Sequence, residues 1–317
     1  MTKAAKRRAK SVFVHKPMPA NARIKGIALM CAAVLCFTGI DTSAKYLNHY
    51  MDTLQVVWAR YLGAFLIGLI VVNPFFMPGS LRTTRPWLQL GRSALLLFST
   101  ILNIFALRYL QLDETMSILF ATPLLVAALS IPFLGESIGP RRWAAIIVGF
   151  CGILIITRPG VGNMHPAMLL TVLGTICYAI YSISTRVLST TDSSGATLFY
   201  SGLFGAVVMS FVLPFVWSWP GGPLQIAVMV LMGTCGALGH YLLILAHRLA
   251  PASILAPFIY TQIVWMVLSG YLVFGDLPNH WTLIGGAVVI ASGLYLLYRE
   301  RKMRGEAGPA ASSELPQ

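Results

Sequence analysis

The chain has 317 residues, 57% of them hydrophobic and 10% charged, with a formal net charge of +13. Soluble domains carry about 25% charged residues, whereas here residues 1–25 and 299–317 hold 15 of the 33 charges and leave 18 for the 273 residues between them. So few charges cannot cover a water-exposed globule, which excludes a soluble enzyme, a disordered chain and a nucleic-acid partner and leaves a polytopic helical membrane protein.

A membrane helix needs roughly 20 mainly apolar residues. Residues 1–25 form a basic tail, too long and too charged for a plain signal peptide, so the first apolar run is expected to be a retained span. Span one, 26–46, contains Asp41 and Lys45. Span two, 54–73, contains Trp58-Ala59-Arg60-Tyr61 and ends at Pro74 and Pro78-Gly79. Span three, 88–108, holds Asn103; span four, 115–134, holds Thr115, Ser117 and the Thr122-Pro123 step. Gly139-Pro140 precedes a short span five, 142–157, and Pro159-Gly160 follows it. Span six, 166–187, carries Tyr178, Tyr181, Ser182 and Ser184. Span seven, 196–217, carries Gly202, Gly205 and Pro214 and runs into Pro220-Gly221-Gly222-Pro223. Span eight, 224–246, has Gly233, Gly236 and Gly239 at three-residue spacing, with His240 beside them. Span nine, 252–274, includes Pro257, Tyr260, Thr261, Gln262 and Trp265, and span ten, 281–298, leads into the basic tail 299–317. Gly and Pro punctuate each break.

Lys and Arg set the orientation. With the N-terminus inside, 19 of them lie on the cytoplasmic side, three (Lys45, Arg108, Arg158) at external ends, and Arg60 within a span. That bias predicts both termini in the cytoplasm of a bacterial inner-membrane protein. All five cysteines fall in apolar segments without ligand spacing, and read as small buried residues. No metal and no cofactor is expected.

The two halves match at a lag of about 140. Cys36-Phe37 matches Cys177-Tyr178, Ser43 matches Ser184 and Lys45 matches Arg186 at lag 141; Ala106, Arg108 and Gly135-Glu136 match Ala246, Arg248 and Gly275-Asp276 at lag 140. Five spans is an odd number, so the second copy is inserted upside down. Inverted repeats with substrate near the midplane are an architecture of secondary transporters. The domain plan is a cytoplasmic tail (1–25), a first five-helix repeat (26–158), a second (159–298) and a cytoplasmic tail (299–317).

The chain resembles the EamA-type family of the drug/metabolite transporter superfamily over 26–298. The resemblance rests on the ten-span repeat, Trp58-Ala59-Arg60-Tyr61, Thr122-Pro123, and Gly135-Glu136 with its counterpart Gly275-Asp276. It implies an all-α integral membrane protein of ten helices in two inverted repeats, both termini inside. It also implies a carrier of small metabolites whose cavity is lined by spans one to four and six to nine, with spans five and ten behind. The stretch Asp41-Thr42-Ser43-Ala44-Lys45-Tyr46-Leu47, followed by Gln55 to Tyr61, resembles members that include riboflavin importers. Import of riboflavin or a related vitamin is thus the substrate expectation, with export of amino acids or drugs as the alternative. A homodimer and bound lipid are the other expected partners.

A charge near the centre of a span costs about 2.5–3.5 kcal/mol on insertion scales and needs a partner or a cavity. Asp41 and Arg60 both lie about 9 Å below the outer boundary at 1.5 Å per residue. They form either a clamp between spans one and two or a site for a coupling ion and a substrate anion. Lys45, one turn from Asp41, is expected to act with it in coupling or to snorkel outward. Tyr178, Tyr181 and Ser182 share one helix face. With Tyr260, Gln262 and Trp265 they are read either as aromatic lining for a flat solute or as helix packing. Asn103 and His240 are assigned to substrate binding or to inter-helix hydrogen bonds, and Pro123 and Pro257 to kinks that serve gating. Asp113 and Glu114 are expected in a solvated mouth. There is no HExxH, GxSxG or GxxxxGK[ST], so an enzyme has no catalytic set here, and the scattered polar residues lack the ring expected of a channel.

Overall fold

A computed structural model describes residues 20–72, 83–134, 139–159, 165–188, 191–250 and 252–306. Among these residues all regular structure is helical. Nine helices are long and apolar enough to cross a membrane and a shorter apolar one, Thr53–Ile67, makes the tenth. Gly135-Glu136 lies outside the described residues, as do the ends of both tails.

Spans one to three are the helices Ala20–Leu47, Thr53–Val72 and Pro86–Leu107. Span four is broken into Leu112–Leu119 and Thr122–Leu134, and span five is Pro140–Thr157. Spans six, seven and eight are Ala167–Leu188, Ser194–Val216 and Pro223–Leu249. Span nine is broken in turn into Ala252–Ile259 and Gln262–Ser269, with a π-helical turn at Gly270–Phe274, and span ten is His280–Glu306.

The repeat governs how these helices meet. Span one packs on span eight, three on six, two on seven and five on ten, and each pairing joins one repeat to the other. Exchanging the repeats maps one–eight onto six–three and leaves two–seven and five–ten unchanged, as a two-fold relation between inverted halves requires. Span two also crosses span eight where Gly63 meets Gly233: a Cβ on Gly63 would lie 2.7 Å from the Gly233 Cα. Small residues permit that backbone approach. At the back, Gly152 fits against Val289 and Gly285, and the Ser292 hydroxyl donates to the Ala145 carbonyl.

The breaks in spans four and nine are themselves repeat-related. They fall at Phe120-Ala121 and Tyr260-Thr261, and the Phe120 and Tyr260 rings meet edge-on at 4.9 Å. Pro123 follows the first break and Pro257 precedes the second, so the break is shared while the proline is not. The freed carbonyls are partly satisfied locally: Thr122 donates to Leu119 at 2.6 Å and Thr261 to Phe258 at 2.6 Å, the kind of repair that lets broken helices persist in lipid.

Candidate functional site

Two ends of the bundle are distinguishable. At the end away from the tails, ties cross between the repeats. Lys45 Nζ lies 2.5 Å from Asp276 Oδ2 and 4.8 Å from the Phe274 ring centroid. Gly275, at φ +73°, takes the left-handed conformation that glycine tolerates and turns the chain so that Asp276 follows directly. Gln55 forms a second clasp, donating to the Ser218 carbonyl at 2.8 Å and accepting from the Ser218 backbone N–H at 2.9 Å. Trp58 Nε1 donates to Ser210 Oγ at 3.0 Å. Lys45 therefore neither snorkels nor pairs with Asp41: the carboxylate within its reach belongs to the opposite repeat. Asp113 is also not in an open mouth. It is buried, with Oδ2 unpartnered, while Glu114 closes a capping box onto the Gln111 backbone N–H at 3.0 Å.

At the tail end a loop tie lies among the described residues. Asp192 accepts from Thr83 Oγ1 at 2.5 Å and from the Thr84 backbone N–H and hydroxyl at 3.1 Å each. Burial pushes its carboxyl up, but the hydrogen bonds from Thr83, Thr84 and Thr191 outweigh that and hold it below the ordinary carboxylate value.

Between the two ends lies a cavity of about 320 Å³ walled by spans one, two, three, six, seven and eight. Asp41 and Arg60 both face it. Each is half-buried, and among the described residues neither has a hydrogen bond or an ion pair; the ion pair present there is Lys45–Asp276. No hydrogen bond or ion pair therefore joins span one to span two through these two residues, although the Arg60 charge acts on Asp41 through space. Span eight packs extensively on both helices and their direct contact is slight, and both charges border the one cavity.

Tyr178, Tyr181 and His240 also line the cavity. The two tyrosine rings lie 5.4 Å apart at 32°, and His240 sits 5.2 Å from the Phe37 ring. Other expected residues are placed elsewhere. Ser182 turns its hydroxyl back to the Tyr178 carbonyl at 2.8 Å. Asn103 lies beside Gly174 of span six, its Oδ1 buried and unpartnered. Tyr260 points its unpartnered hydroxyl at Gly293 of span ten. Gln262 is buried outside the cavity wall. Trp265 packs against a cluster that includes Met30, Val34 and Leu255. Spans four and nine, where Pro123, Pro257, Tyr260, Gln262 and Trp265 sit, supply no residue to the cavity wall. The resemblance implied otherwise; their broken helices pack between the cavity spans and the back pair.

Several wall residues carry no site assignment from the sequence: Phe37 and Tyr61, which appear there only in the repeat and family motifs, and Thr100, Phe199, Ser201 and Tyr241. Tyr61 and Thr100 join their hydroxyls at 3.1 Å across spans two and three. Helical spacing from the three polar anchors would have found part of the wall, since Phe37 precedes Asp41 by four, Ala64 follows Arg60 by four and Ile244 follows His240 by four.

The family model for the EamA-like transporter family matches this chain twice, over residues 24–158 and 165–299. The chain belongs to the EamA-like transporter family. As a member of that family it is a multi-pass transporter. It is similar to S-adenosylmethionine uptake transporters of Rickettsia felis (28% identical, covering 88% of this chain and 94% of the relative) and Rickettsia bellii (29%, covering 87% and 94%). It is also similar to a riboflavin transporter of Vibrio cholerae (26%, covering 88% and 95%). A solved crystal structure shares the fold at TM-score 0.60 and 15% identity, over 88% of this chain and 98% of that one.

Proposed function

We infer that this EamA-family transporter takes up a zwitterionic, cation-bearing solute with an aromatic base, of the S-adenosylmethionine type, by alternating access, with the tail end in the bacterial cytoplasm. The observation that carries this reading is the pair of opposite charges, Asp41 and Arg60, that share the wall of one aromatic cavity with no hydrogen bond or ion pair to hold either. An unpaired charge in a span is expensive, and a solute that brings both counter-charges offsets both penalties at once. Arg60 suits a carboxylate, which a guanidinium binds through two parallel N–H bonds. Asp41 suits an ammonium or sulfonium group, and the Tyr178 and Tyr181 faces suit a flat base. The cavity volume falls at the low end of the ~300–1,000 Å³ typical of small-molecule sites.

The carrier cycle in this reading opens the Lys45–Asp276 and Gln55–Ser218 ties while the cavity closes toward the tails. Leu69, Leu198 and Ile244, wall residues near the tail-side ends of their helices, mark the side on which the cavity releases its contents.

Riboflavin uptake is the second reading. It is favoured by the similarity to riboflavin transporters and by the paired tyrosines, but a neutral flavin leaves Asp41 and Arg60 without counter-charges from the solute. Counterflow in proteoliposomes separates the two. Vesicles loaded with unlabelled S-adenosylmethionine are expected to accelerate entry of the labelled compound. S-adenosylhomocysteine, which lacks the sulfonium charge, should compete less well, and riboflavin not at all. Riboflavin counterflow with none for S-adenosylmethionine would overturn the first reading in favour of the second.

A further inference from the structure

Arg92 looks in the sequence like one more basic residue at the cytoplasmic end of a span. It is instead 1% exposed. Its Nε donates to Gln89 Oε1 at 3.2 Å and one terminal nitrogen to Thr185 Oγ1 at 3.0 Å. The other terminal nitrogen donates to the Thr197 carbonyl and to Ser201 Oγ, both at 2.5 Å. The guanidinium carbon lies 4.9 Å from the Tyr181 ring centroid. Every one of these acceptors is neutral, and among the described residues no carboxylate comes within ion-pair distance. Four donated hydrogen bonds hold one buried positive charge with no counter-charge in contact, an arrangement that stability alone disfavours.

The repeat supplies an internal control. At the lag of 140 that relates Ala106 to Ala246, Arg92 corresponds to Met232, which is fully buried. An apolar side chain therefore suffices to fill the equivalent position in the other half. Arg92 also touches two cavity walls from behind, since Tyr181 and Ser201 both line the cavity. A cation on one face of a phenol ring draws its electron density toward that face. The opposite face then repels a second cation and favours an electron-rich flat ring.

We propose that Arg92 is a positioning residue that fixes Tyr181 as the seat for the aromatic base of the solute and directs the cationic group of the solute away from that seat, toward Asp41. The proposal deepens the uptake reading above and rests on it for the identity of the solute, but not for the fixing of Tyr181.

The test uses the full-length protein with Arg92→Met, which copies the equivalent position, and Arg92→Lys, which keeps the charge and loses the fork. 3-Fluorotyrosine labelling gives a fluorine NMR signal for Tyr181, assigned by its loss in Tyr181→Phe. Arg92→Met is expected to shift that resonance or split it, and Arg92→Lys to give an intermediate spectrum. In proteoliposomes Arg92→Met is expected to raise the half-saturating S-adenosylmethionine concentration about tenfold with little change in maximal rate, the size of a lost cation–π and hydrogen-bond support. Arg92→Lys should recover part of it. If the wild type shows no S-adenosylmethionine uptake but the resonance moves, the solute reading falls and the positioning of Tyr181 stands. An unmoved Tyr181 resonance in Arg92→Met overturns the positioning role whatever the solute. Should Arg92→Met not fold, an unmoved resonance in Arg92→Lys with wild-type half-saturation overturns it instead.

Discussion

Asp41 and Arg60 are legible in the sequence because a charge inside an apolar span has few explanations, and both do face the cavity. Their relation was not legible. Equal depth on consecutive helices suggests a clamp, but depth says nothing of the helix that packs against both. Hydroxyls and rings are harder still: Tyr61, Thr100 and Ser201 on the wall and Tyr260 and Trp265 off it look alike in sequence, because burying a tyrosine against a helix and exposing it to a cavity use the same residue. The burial of Arg92 is hidden for a related reason, since a basic residue near a helix end reads first as an orientation signal. Asp41→Asn is expected to keep the unfolding midpoint of the wild type, as the carboxylate has no hydrogen bond or ion pair to lose, while uptake falls at least about tenfold, the size of one lost charge-assisted hydrogen bond. Uptake and thermal unfolding on the same preparation check both halves. Arg60→Gln should behave likewise, and should discriminate less between a solute with a free carboxylate and its methyl ester.

At the level of helices, the ten spans follow from hydropathy and Gly/Pro punctuation; most described helices fall within a few residues of them, while the first starts six residues earlier, the last runs eight residues further into the basic tail, and spans four and nine are interrupted. The Gly233, Gly236 and Gly239 series announced close packing without its partners; span two at Gly233 and span one at Gly239 could be named only once the repeats were docked. Gly63→Ala places a methyl 2.7 Å from the Gly233 Cα and should destabilise the protein by about 1–3 kcal/mol, as overpacking does, read as a lower melting temperature in detergent. The loop tie at Asp192 yields a pH prediction. Its carboxyl lies below the ordinary carboxylate value in the folded chain. Its contribution is thus present above the unfolded pKa and is lost as pH falls through the acid range toward the folded one. Asp192→Asn should lower the melting temperature at neutral pH and flatten its fall on acidification, a difference that shrinks once the wild-type Asp192 is protonated in both the folded and the unfolded chain.

For the whole molecule, the inverted repeat was readable from the lag alone, because polar matches at near-constant spacing do not arise from hydropathy. Which surfaces of the repeats meet was not readable. Lys45 and Asp276 are 231 residues apart, and nothing local links them. Their pair and the Gln55–Ser218 clasp close the end away from the tails, so loosening them should shift the carrier toward a state open at that end. With the tails inside as proposed, Lys45→Met is expected to raise labelling of a cysteine placed at Ile40, a cavity-wall position, by an impermeant thiol reagent added from outside intact cells. The account as a whole stands on Asp41 and Arg60 being the seat of the solute. The direct measurement is calorimetric titration of S-adenosylmethionine into the purified wild type and into Asp41→Asn. One saturable site in the wild type, weakened about tenfold or more in the variant at unchanged unfolding midpoint, is the predicted result; equal binding by both proteins would contradict it.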